Sequence, residues 1–161
     1  GRGRLGRPWA SDPGASLTFS LGLPLAPADW SGLSLAVGLS LAENLHPDVR
    51  IKWPNDLWLH GRKLAGILIE TAGTGGAAVP RFVVVGVGIN ITTRAAQGLS
   101  TPPAWLQELQ PQVDAPQALA RLALPLVRAV QAFEAQGFGA LRERFHARDA
   151  LAGCAVVLSD G

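Results

Sequence analysis

The sequence predicts an α/β protein of the α+β type, with a mixed central β-sheet flanked by helices. Short β-branched or alternating segments separated by turn residues indicate strands, and two longer stretches with apolar residues at helical spacing indicate helices. Of the 161 residues, 48% are hydrophobic and 16% are charged. This composition is unlike that of a disordered chain and provides enough apolar side chains for a buried core.

The first predicted elements are a loop, a strand and a helix. Residues 1–14 are rich in Gly, Arg and Pro without a period and predict a loop, and the loose alternation of residues 15–23 predicts a strand. Asp29 is expected to cap a helix that ends at His46-Pro47-Asp48. The apolar stripe of this helix recurs at every fourth position, at Leu33, Val37, Leu41 and Leu45.

Four further strands are predicted at residues 49–53, 57–59, 63–71 and 81–91. Pro54-Asn55-Asp56 forms a turn between the first two, and His60-Gly61-Arg62 closes a hairpin between the second and third. A glycine-rich loop at residues 73–78 leads into the last strand, whose β-branched run is typical of an interior, buried strand.

A second long helix is predicted after an irregular segment at residues 97–111. Asp114 and Gln117 resemble a capping box at its start. We expect Pro125 to kink or split the helix and Gly137 to end it. The apolar stripe of this helix comprises Leu119, Leu122, Leu126, Val130 and Phe133.

The chain is expected to end with a short helix around Leu141 and Phe145 and a strand at residues 151–159. Cys154, in that apolar strand, is expected to be buried. Because it is the one cysteine in the sequence, an internal disulfide and a cysteine-only zinc site are excluded.

The net charge and the absence of targeting signals in the sequence exclude several classes of function. Fourteen Lys+Arg against 12 Asp+Glu give a formal net charge of +2, which is too small for a surface that wraps nucleic acid but leaves room for a local anion site. Only two of the basic residues are lysines, Lys52 and Lys63. No apolar run reaches the roughly 20 residues that span a bilayer, and no signal-peptide pattern opens the chain. We therefore expect a cytoplasmic protein without a membrane partner.

The first motif, GRGRLGRPW at residues 1–9, contains G-x-G-x-x-G. A dinucleotide site needs a strand before this pattern and a helix after it, and the sequence predicts neither, so that interpretation is rejected. Arg2, Arg4 and Arg7 instead supply forked donors for a carboxylate or phosphate, and the glycines let the loop order around such a ligand. The alternatives are a basic terminus or an arginine–glycine segment that binds RNA.

The second motif, KWPND at residues 52–56, places a cation, an aromatic ring and two oxygen-bearing side chains in one turn. Asn55 and Asp56 have the donor types that hold Mg²⁺ together with nucleotide phosphates. The alternative is a turn with no role beyond structure.

The third and fourth motifs are RKLAGILIE at residues 62–70 and GVGIN at residues 86–90. Lys63 is expected at the rim of a pocket, and Gly66 indicates a bulge or a close approach of ligand to the backbone. The glycines of the fourth motif allow a ligand to lie against the strand, and Asn90 offers the donor and acceptor that adenine recognition needs. The alternatives are an edge-strand lysine that discourages aggregation and glycines that allow tight helix packing.

Together the four motifs resemble those of the biotin–protein ligase catalytic domain, in the order and at separations typical of that family. The resemblance covers about residues 1–150 and implies the fold shared by class II synthetases and biotin ligases. Residues 151–161 resemble the beginning of a small SH3-like C-terminal domain that is otherwise truncated.

The resemblance implies two half-reactions, with ATP and biotin as substrates and Mg²⁺ as the metal. The biotin carboxylate attacks the α-phosphate of ATP, giving biotinyl-5′-AMP and pyrophosphate. The ε-amine of one lysine on biotin carboxyl carrier protein, the implied partner, then attacks the mixed anhydride. Because two anions must meet, closely placed cations are needed.

On the biotin side, the resemblance implies that Lys63 bridges the biotin carboxylate and the α-phosphate as a catalytic residue. Arg2 and Arg4 would hold the phosphate or the adenylate, with Arg4 also catalytic, and both would contact biotin. Gly3 would contact biotin between them, and Gly66 would let biotin pass close to the strand.

On the nucleotide side, the resemblance implies that Trp9 packs on adenine and Asn90 reads its edge. Arg7 would join the other loop arginines at the adenylate. Asn55 and Asp56 would engage phosphate and Mg²⁺, and Asp56 would also be catalytic by orienting the incoming amine.

The chain departs from the family pattern upstream of the GRGR loop, where a glutamine and a Ser/Thr-containing stretch are missing. Because the sequence also contains no Met, we expect an N-terminally incomplete catalytic domain, and no DNA-binding domain is visible in it. A homodimer is left open.

Two alternatives remain beside biotin ligation. One is a lipoate– or octanoate–protein ligase or transferase of the same fold, although those enzymes lack this combination of GRGR and KWPND. The other is a nucleic-acid binder that uses the Arg/Gly loop. It would need a basic face, whereas arginines elsewhere alternate with acids, as in Arg142-Glu143-Arg144.

Overall fold

The computed structural model of the protein describes residues 3, 9, 11–72, 80–93 and 102–155. Within these residues one sheet has five strands in the order β1-β5-β4-β3-β2. The strands are β1 (Ser16–Leu25), β2 (Arg50–Lys52), β3 (Asp56–Leu59), β4 (Arg62–Ala72) and β5 (Arg81–Asn90). The helices are α1 (Leu33–Leu45), α2 (Ala115–Gln136) and α3 (Arg142–His146), with 3₁₀ turns at Leu106–Glu108 and Gly139–Leu141.

The sheet confirms the predicted fold class. Its described strand pairs are antiparallel, and a parallel bridge between Ile51 and Asp149 adds the mixed component. The predicted hairpin is confirmed, since Trp58 pairs with Lys63 and Leu59 with Arg62. The predicted loop at residues 73–78 lies outside the described residues.

One face of the sheet forms the hydrophobic core. A Cβ added to Gly38 of α1 would lie 3.5 Å from both Ile51 and Ile67, so the helix packs directly on the strands. Alternate residues of β5 point into this core and are buried, at Val83, Val85, Val87 and Ile89. This confirms β5 as an interior, buried strand and leaves the intervening positions, including Gly86 and Gly88, on the opposite face.

The helices confirm the predicted apolar stripes, and α2 has the predicted start and end. The Asp114 carboxylate caps α2 by accepting from the Gln117 N–H at 2.8 Å. The helix continues through Pro125, so the alternative of a split helix is wrong, because buried side chains on either side hold both halves to the core. These are Leu122 and Leu126 before and after the proline turn. The kink stays a prediction.

Asp29 does not cap α1, contrary to the sequence prediction. The helix begins at Leu33 after Gly32 and has no side-chain cap. The Asp29 carboxylate instead accepts from the Ser31 N–H at 2.8 Å. Aspartate favours such a local turn as readily as a helix cap, and the turn forms three residues too early to start the helix.

The last described residues also differ from the prediction. Residues 151–153 form a turn rather than a strand, and Cys154 is exposed rather than buried. The chain adds to the sheet earlier, because the Ile51 N–H donates to Arg148 O at 2.7 Å and the Ala150 N–H donates to Ile51 O at 2.8 Å. Residues 156–161 lie outside the described part, so the SH3-like start stays a prediction. In the described ranges no helix has the length and apolarity to cross a membrane.

Arg148 joins this C-terminal segment to the end of α1. Its guanidinium donates to the carbonyl oxygens of His46 at 3.1 Å and Val49 at 3.3 Å, and also to that of Pro47. Arg148 therefore ties the loop at residues 46–49, which joins α1 to β2, to the C-terminal segment.

We expect Arg148→Met to lower the free energy of unfolding by about 2 kcal/mol, because carbonyl groups that accept from a charged donor lose that partner. Urea denaturation measures this change. Arg142→Met is the matched control, since Arg142 is an exposed arginine of α3. Equal losses in the two variants would show that the contacts of Arg148 with residues 46–49 do not stabilise the fold.

Candidate active site

The candidate site begins with a bulge at the start of β4. Asp56 of β3 pairs with Gly66 and Trp58 pairs with Lys63, so three steps along β4 oppose two along β3. In a regular strand Lys63 and Gly66 would point to opposite faces, because their numbers differ by an odd count. The extra residue turns Lys63 onto the face of Gly66 and Asp56, away from the helices.

On that face Lys63 and Asp56 form an ion pair. The Lys63 Nζ lies 2.7 Å from Oδ1 of Asp56, with the lysine side chain 43% and the aspartate side chain 20% exposed. A half-exposed ammonium next to a mostly buried carboxylate is held in one place yet remains open to a ligand. The structure thus brings together two of the three residues that the sequence predicts as catalytic.

Hydrogen bonds hold the KWPND turn in place at Pro54 and Asn55. The side-chain amide of Asn55 donates to Ile67 O at 2.8 Å, and the Ile67 N–H donates to Asn55 O at 2.9 Å. The Ser34 hydroxyl of α1 donates to Pro54 O at 3.0 Å. These bonds fix the backbone that carries Asp56, the next residue.

Trp9 covers the two glycines that the sequence predicts as ligand contacts. A Cβ added to Gly88 would lie 2.4 Å from Cε2 of Trp9, and one added to Gly66 would lie 3.3 Å from Cζ3. The Lys63 Nζ lies 5.8 Å from the centroid of the indole ring. We call the strip of sheet over Gly66 and Gly88 the glycine trough. Its backbone floor admits a flat group beside the ion pair.

Asn90 lies at the end of the trough and is 2% exposed. Its side-chain amide donates to Ala104 O at 3.0 Å and, at 3.4 Å, to Lys63 O. Among the described residues its Oδ1 has no hydrogen-bond partner. A buried acceptor without a donor is costly, and a ligand N–H is one way to satisfy it.

The remaining predicted site residues belong to the first motif. Gly3 is half-buried and has no regular structure. Arg2, Arg4 and Arg7 lie outside the described residues, so their predicted contacts stay predictions.

Three residues without a predicted role, Arg62, Trp105 and Glu108, lie together at the start of β4. Arg62 pairs with Glu108, and its guanidinium lies 5.7 Å from the centroid of the Trp105 ring. Burial raises the pKa of Glu108, but hydrogen bonds from Arg62 and from the Trp105 N–H, together with the nearby positive charge, lower the pKa overall. The available signal was the glutamate three residues after Trp105, the position from which a side chain reaches back to the backbone N–H at the start of a turn.

The arrangement suits an anionic, flat ligand. An ammonium borders a trough whose floor is backbone, and a buried acceptor without a partner among the described residues lies on the neighbouring strand. Described arginines such as Arg62 and Arg144 pair with acids, which disfavours a basic nucleic-acid face. In the described ranges no group of three or more His, Cys, Asp or Glu side chains is placed to hold a metal ion.

Comparison with known proteins gives the same family by sequence and by structure. The model of the biotin/lipoate A/B protein ligase family matches residues 1–90. The Paracoccus denitrificans biotin–[acetyl-CoA-carboxylase] ligase is 34% identical over 174 residues, covering 100% of this chain and 71% of that protein. The Escherichia coli bifunctional ligase/repressor BirA is 40% identical over 157 residues, covering 92% of this chain and 48% of that protein. The chain therefore spans about half the length of this second relative.

Among solved structures, the Aquifex aeolicus biotin protein ligase in complex with biotin and ATP has a TM-score of 0.74 and is 26% identical. The match covers 92% of this chain and 64% of that one. The Leishmania major biotin protein ligase in complex with biotinyl-5-AMP also has a TM-score of 0.74, covers 100% of this chain and 71% of that one, and at 21% identity supports the fold alone.

We expect Gly88→Ala to force the Trp9 indole off the sheet, because the new Cβ would lie 2.4 Å from it. Acrylamide quenching of tryptophan fluorescence should rise in this variant. Gly86→Ala is the matched control, since its Cβ would be 3.4 Å from the nearest atom, Leu68 O. Adding Trp9→Phe to Gly88→Ala should remove the difference. Equal quenching in both alanine variants would contradict the packing.

Proposed function

Because the chain belongs to the biotin/lipoate A/B protein ligase family, we propose that it is an ATP-dependent biotin ligase. It would activate biotin as biotinyl-5′-AMP and transfer the biotinyl group to a specific lysine of biotin carboxyl carrier protein. The observation that carries this proposal is the Lys63–Asp56 ion pair beside the glycine trough, with Nζ and Oδ1 2.7 Å apart.

In the first half-reaction an oxygen of the biotin carboxylate attacks the α-phosphorus of ATP. The bond from that phosphorus to the bridging oxygen of the β-phosphate breaks, and pyrophosphate leaves. Both reactants are anions, so a cation between them lowers their repulsion and stabilises the charge that develops at phosphorus. We assign this role to Lys63, whose Nζ is 3.5 Å from the Cβ position of Gly66 and so borders the trough.

The trough is the proposed place for biotin and the adjacent adenosine. Biotin would pass over Gly66, and adenine would lie near Gly88, where the Trp9 indole now packs. Trp9 must therefore shift from the floor of the trough to stack on the base. Asn90 would read the adenine edge through Oδ1, the buried acceptor, because the exocyclic amino group of adenine is a donor.

Asn55 and Asp56 are the residues that would hold Mg²⁺. Their oxygens fit a hard cation, and Mg²⁺ typically takes one or two carboxylates and draws its other ligands from phosphates and water. Bound there, the ion would neutralise phosphate charge. The Asn55 side chain is held in place by its amide, which donates to Ile67 O at 2.8 Å.

In the second half-reaction the acceptor lysine amine attacks the carbonyl carbon of the anhydride, and AMP leaves with the former α-phosphate. Asp56 would orient the amine. Arg2, Arg4 and Arg7, with Gly3 between the first two, would close over the adenylate and shield it from water. We place this reaction in the cytoplasm. Assembly as a homodimer stays a prediction, which a measurement of the particle mass in solution would test.

A ligase for lipoate or octanoate is the second candidate, because the matching family includes lipoate ligases. Biotin-dependent exchange of labelled pyrophosphate into ATP separates the two. We expect exchange with biotin and none above background with lipoate. Exchange with lipoate alone would overturn the biotin assignment.

Lys63→Ala should slow biotinyl-adenylate formation by about 100-fold or more, which is the usual effect of losing one preorganised donor. The free energy of unfolding should change by less than about 1 kcal/mol, since the ion pair is partly exposed. Lys63→Arg tests geometry against charge and should also be slow, because a planar fork replaces a compact ammonium. Near wild-type adenylate formation by Lys63→Ala would refute the role.

Arg4→Gly should weaken the closure of the loop over the adenylate. The expected result is release of biotinyl-5′-AMP, measured as biotin on lysines of a bystander protein added to the reaction. Lys63→Ala in the same assay is the control for labelling that needs adenylate. If Arg4→Gly makes adenylate without bystander labelling, the shielding role is wrong.

A further inference from the structure

A short segment of the chain, residues 103–108, buttresses the backbone of Lys63. The Ala104 N–H donates to Lys63 O at 2.9 Å. Ala104 O in turn accepts from the side-chain amide of Asn90 at 3.0 Å. Ala104 is fully buried. One residue of this segment therefore bonds both to the backbone of Lys63, the proposed partner of the carboxylate and phosphate, and to the side chain of Asn90, the proposed adenine contact.

Arg62 fastens this segment to the strand that carries Lys63. Its guanidinium pairs with the Glu108 carboxylate, donates to Pro103 O at 3.4 Å and stacks on Trp105 at 5.7 Å. Glu108 also accepts from the Trp105 N–H at 3.0 Å. The three contacts hold the segment at its first, middle and last residues.

We propose that Arg62 is a positioning residue for adenylation, which acts through Glu108 and residues 103–108 to hold Lys63 and Asn90 in register with each other. The inference rests on the proposed function only for the identity of the reaction. The neighbouring ammonium of Lys63 contacts the ligand directly, whereas the Arg62 guanidinium is committed to the segment.

We call the contacts of Arg62 with Pro103, Trp105 and Glu108 the clasp. Its ion pair stays charged at neutral pH. Although burial raises the pKa of Glu108, the hydrogen bonds from Arg62 and the Trp105 N–H, together with the nearby positive charge of Arg62, lower it overall. A lowered carboxyl pKa means that the ion pair stabilises the fold above the ordinary pKa of glutamate and is lost only as the pH falls through the lowered value. The pair therefore remains charged at the pH of the reaction.

The test is steady-state adenylation by the full-length protein carrying Arg62→Met, Glu108→Gln or both. Each single change should raise KM for ATP and lower kcat by about tenfold, the effect of losing one hydrogen bond to a charged group. The double variant should be no worse than either single variant, because both break one pair. Arg62→Lys should recover part of kcat by restoring the charge.

Arg144→Met is the matched control. Arg144 also pairs with an acid, Glu43, in this case through two nitrogen–oxygen contacts. The pair joins α3 to α1, and neither helix carries a candidate site residue. Its variant should lose stability without a change in KM or kcat. The proposal is overturned if the Arg62 variants have the same KM and kcat as Arg144→Met. It is also overturned if the effects of the two single changes multiply in the double variant.

Amide hydrogen exchange gives a readout that needs no activity. Exchange at Ala104 and Gln107 should quicken at least about tenfold in Arg62→Met and stay unchanged in Arg144→Met. If exchange quickens in Arg62→Met but the wild-type protein does not activate biotin, the proposed function is wrong and the clasp still holds. If the wild-type protein activates biotin but exchange at Ala104 and Gln107 is unchanged in Arg62→Met, the clasp is wrong.

Discussion

The extra residue in β4 opposite Leu57 and Trp58 is the constraint on which the site depends. It turns Lys63 out of the core and onto the face that carries Asp56 and Gly66, where the ammonium and carboxylate meet at 2.7 Å. A regular strand would direct the lysine toward the helices, where an unpaired ammonium is costly to bury. The bulge thus separates a core face from a chemical face within one short strand.

Each other part of the site is attached to this bulged backbone. The KWPND turn bonds to Ile67, three residues beyond the extra residue, and so sets the position of Asp56. The segment at residues 103–108 bonds to the carbonyl of Lys63 itself. Asn90, on the next strand, bonds to both Lys63 and Ala104. Rigid elements therefore place the cation, the carboxylate and the amide, which is the condition for electrostatic stabilisation without rearrangement.

Local patterns predicted the elements, and long-range contacts explain what they could not predict. Turn residues and β-branched runs located the strands, and the four motifs identified Lys63, Asp56 and the glycine trough. The register that places Lys63 beside Asp56 is a property of two paired strands and has no local sequence signal. The partner of Arg62 stands 46 residues away. Asp29 is a residue type that caps helices, but its carboxylate accepts from Ser31 in a local turn that precedes the start of α1.

We propose that the glycine trough, ending at Lys63 and Asp56, holds the adenylate. A crystal structure of the full-length protein with bound biotinyl-5′-AMP tests this proposal most directly. We expect the acyl-phosphate over Gly66 within hydrogen-bond distance of the Lys63 Nζ, the adenine amino group on Oδ1 of Asn90, and Trp9 moved off Gly88. Adenylate bound elsewhere, or bound in the trough with Lys63 turned away from the phosphate, would contradict it.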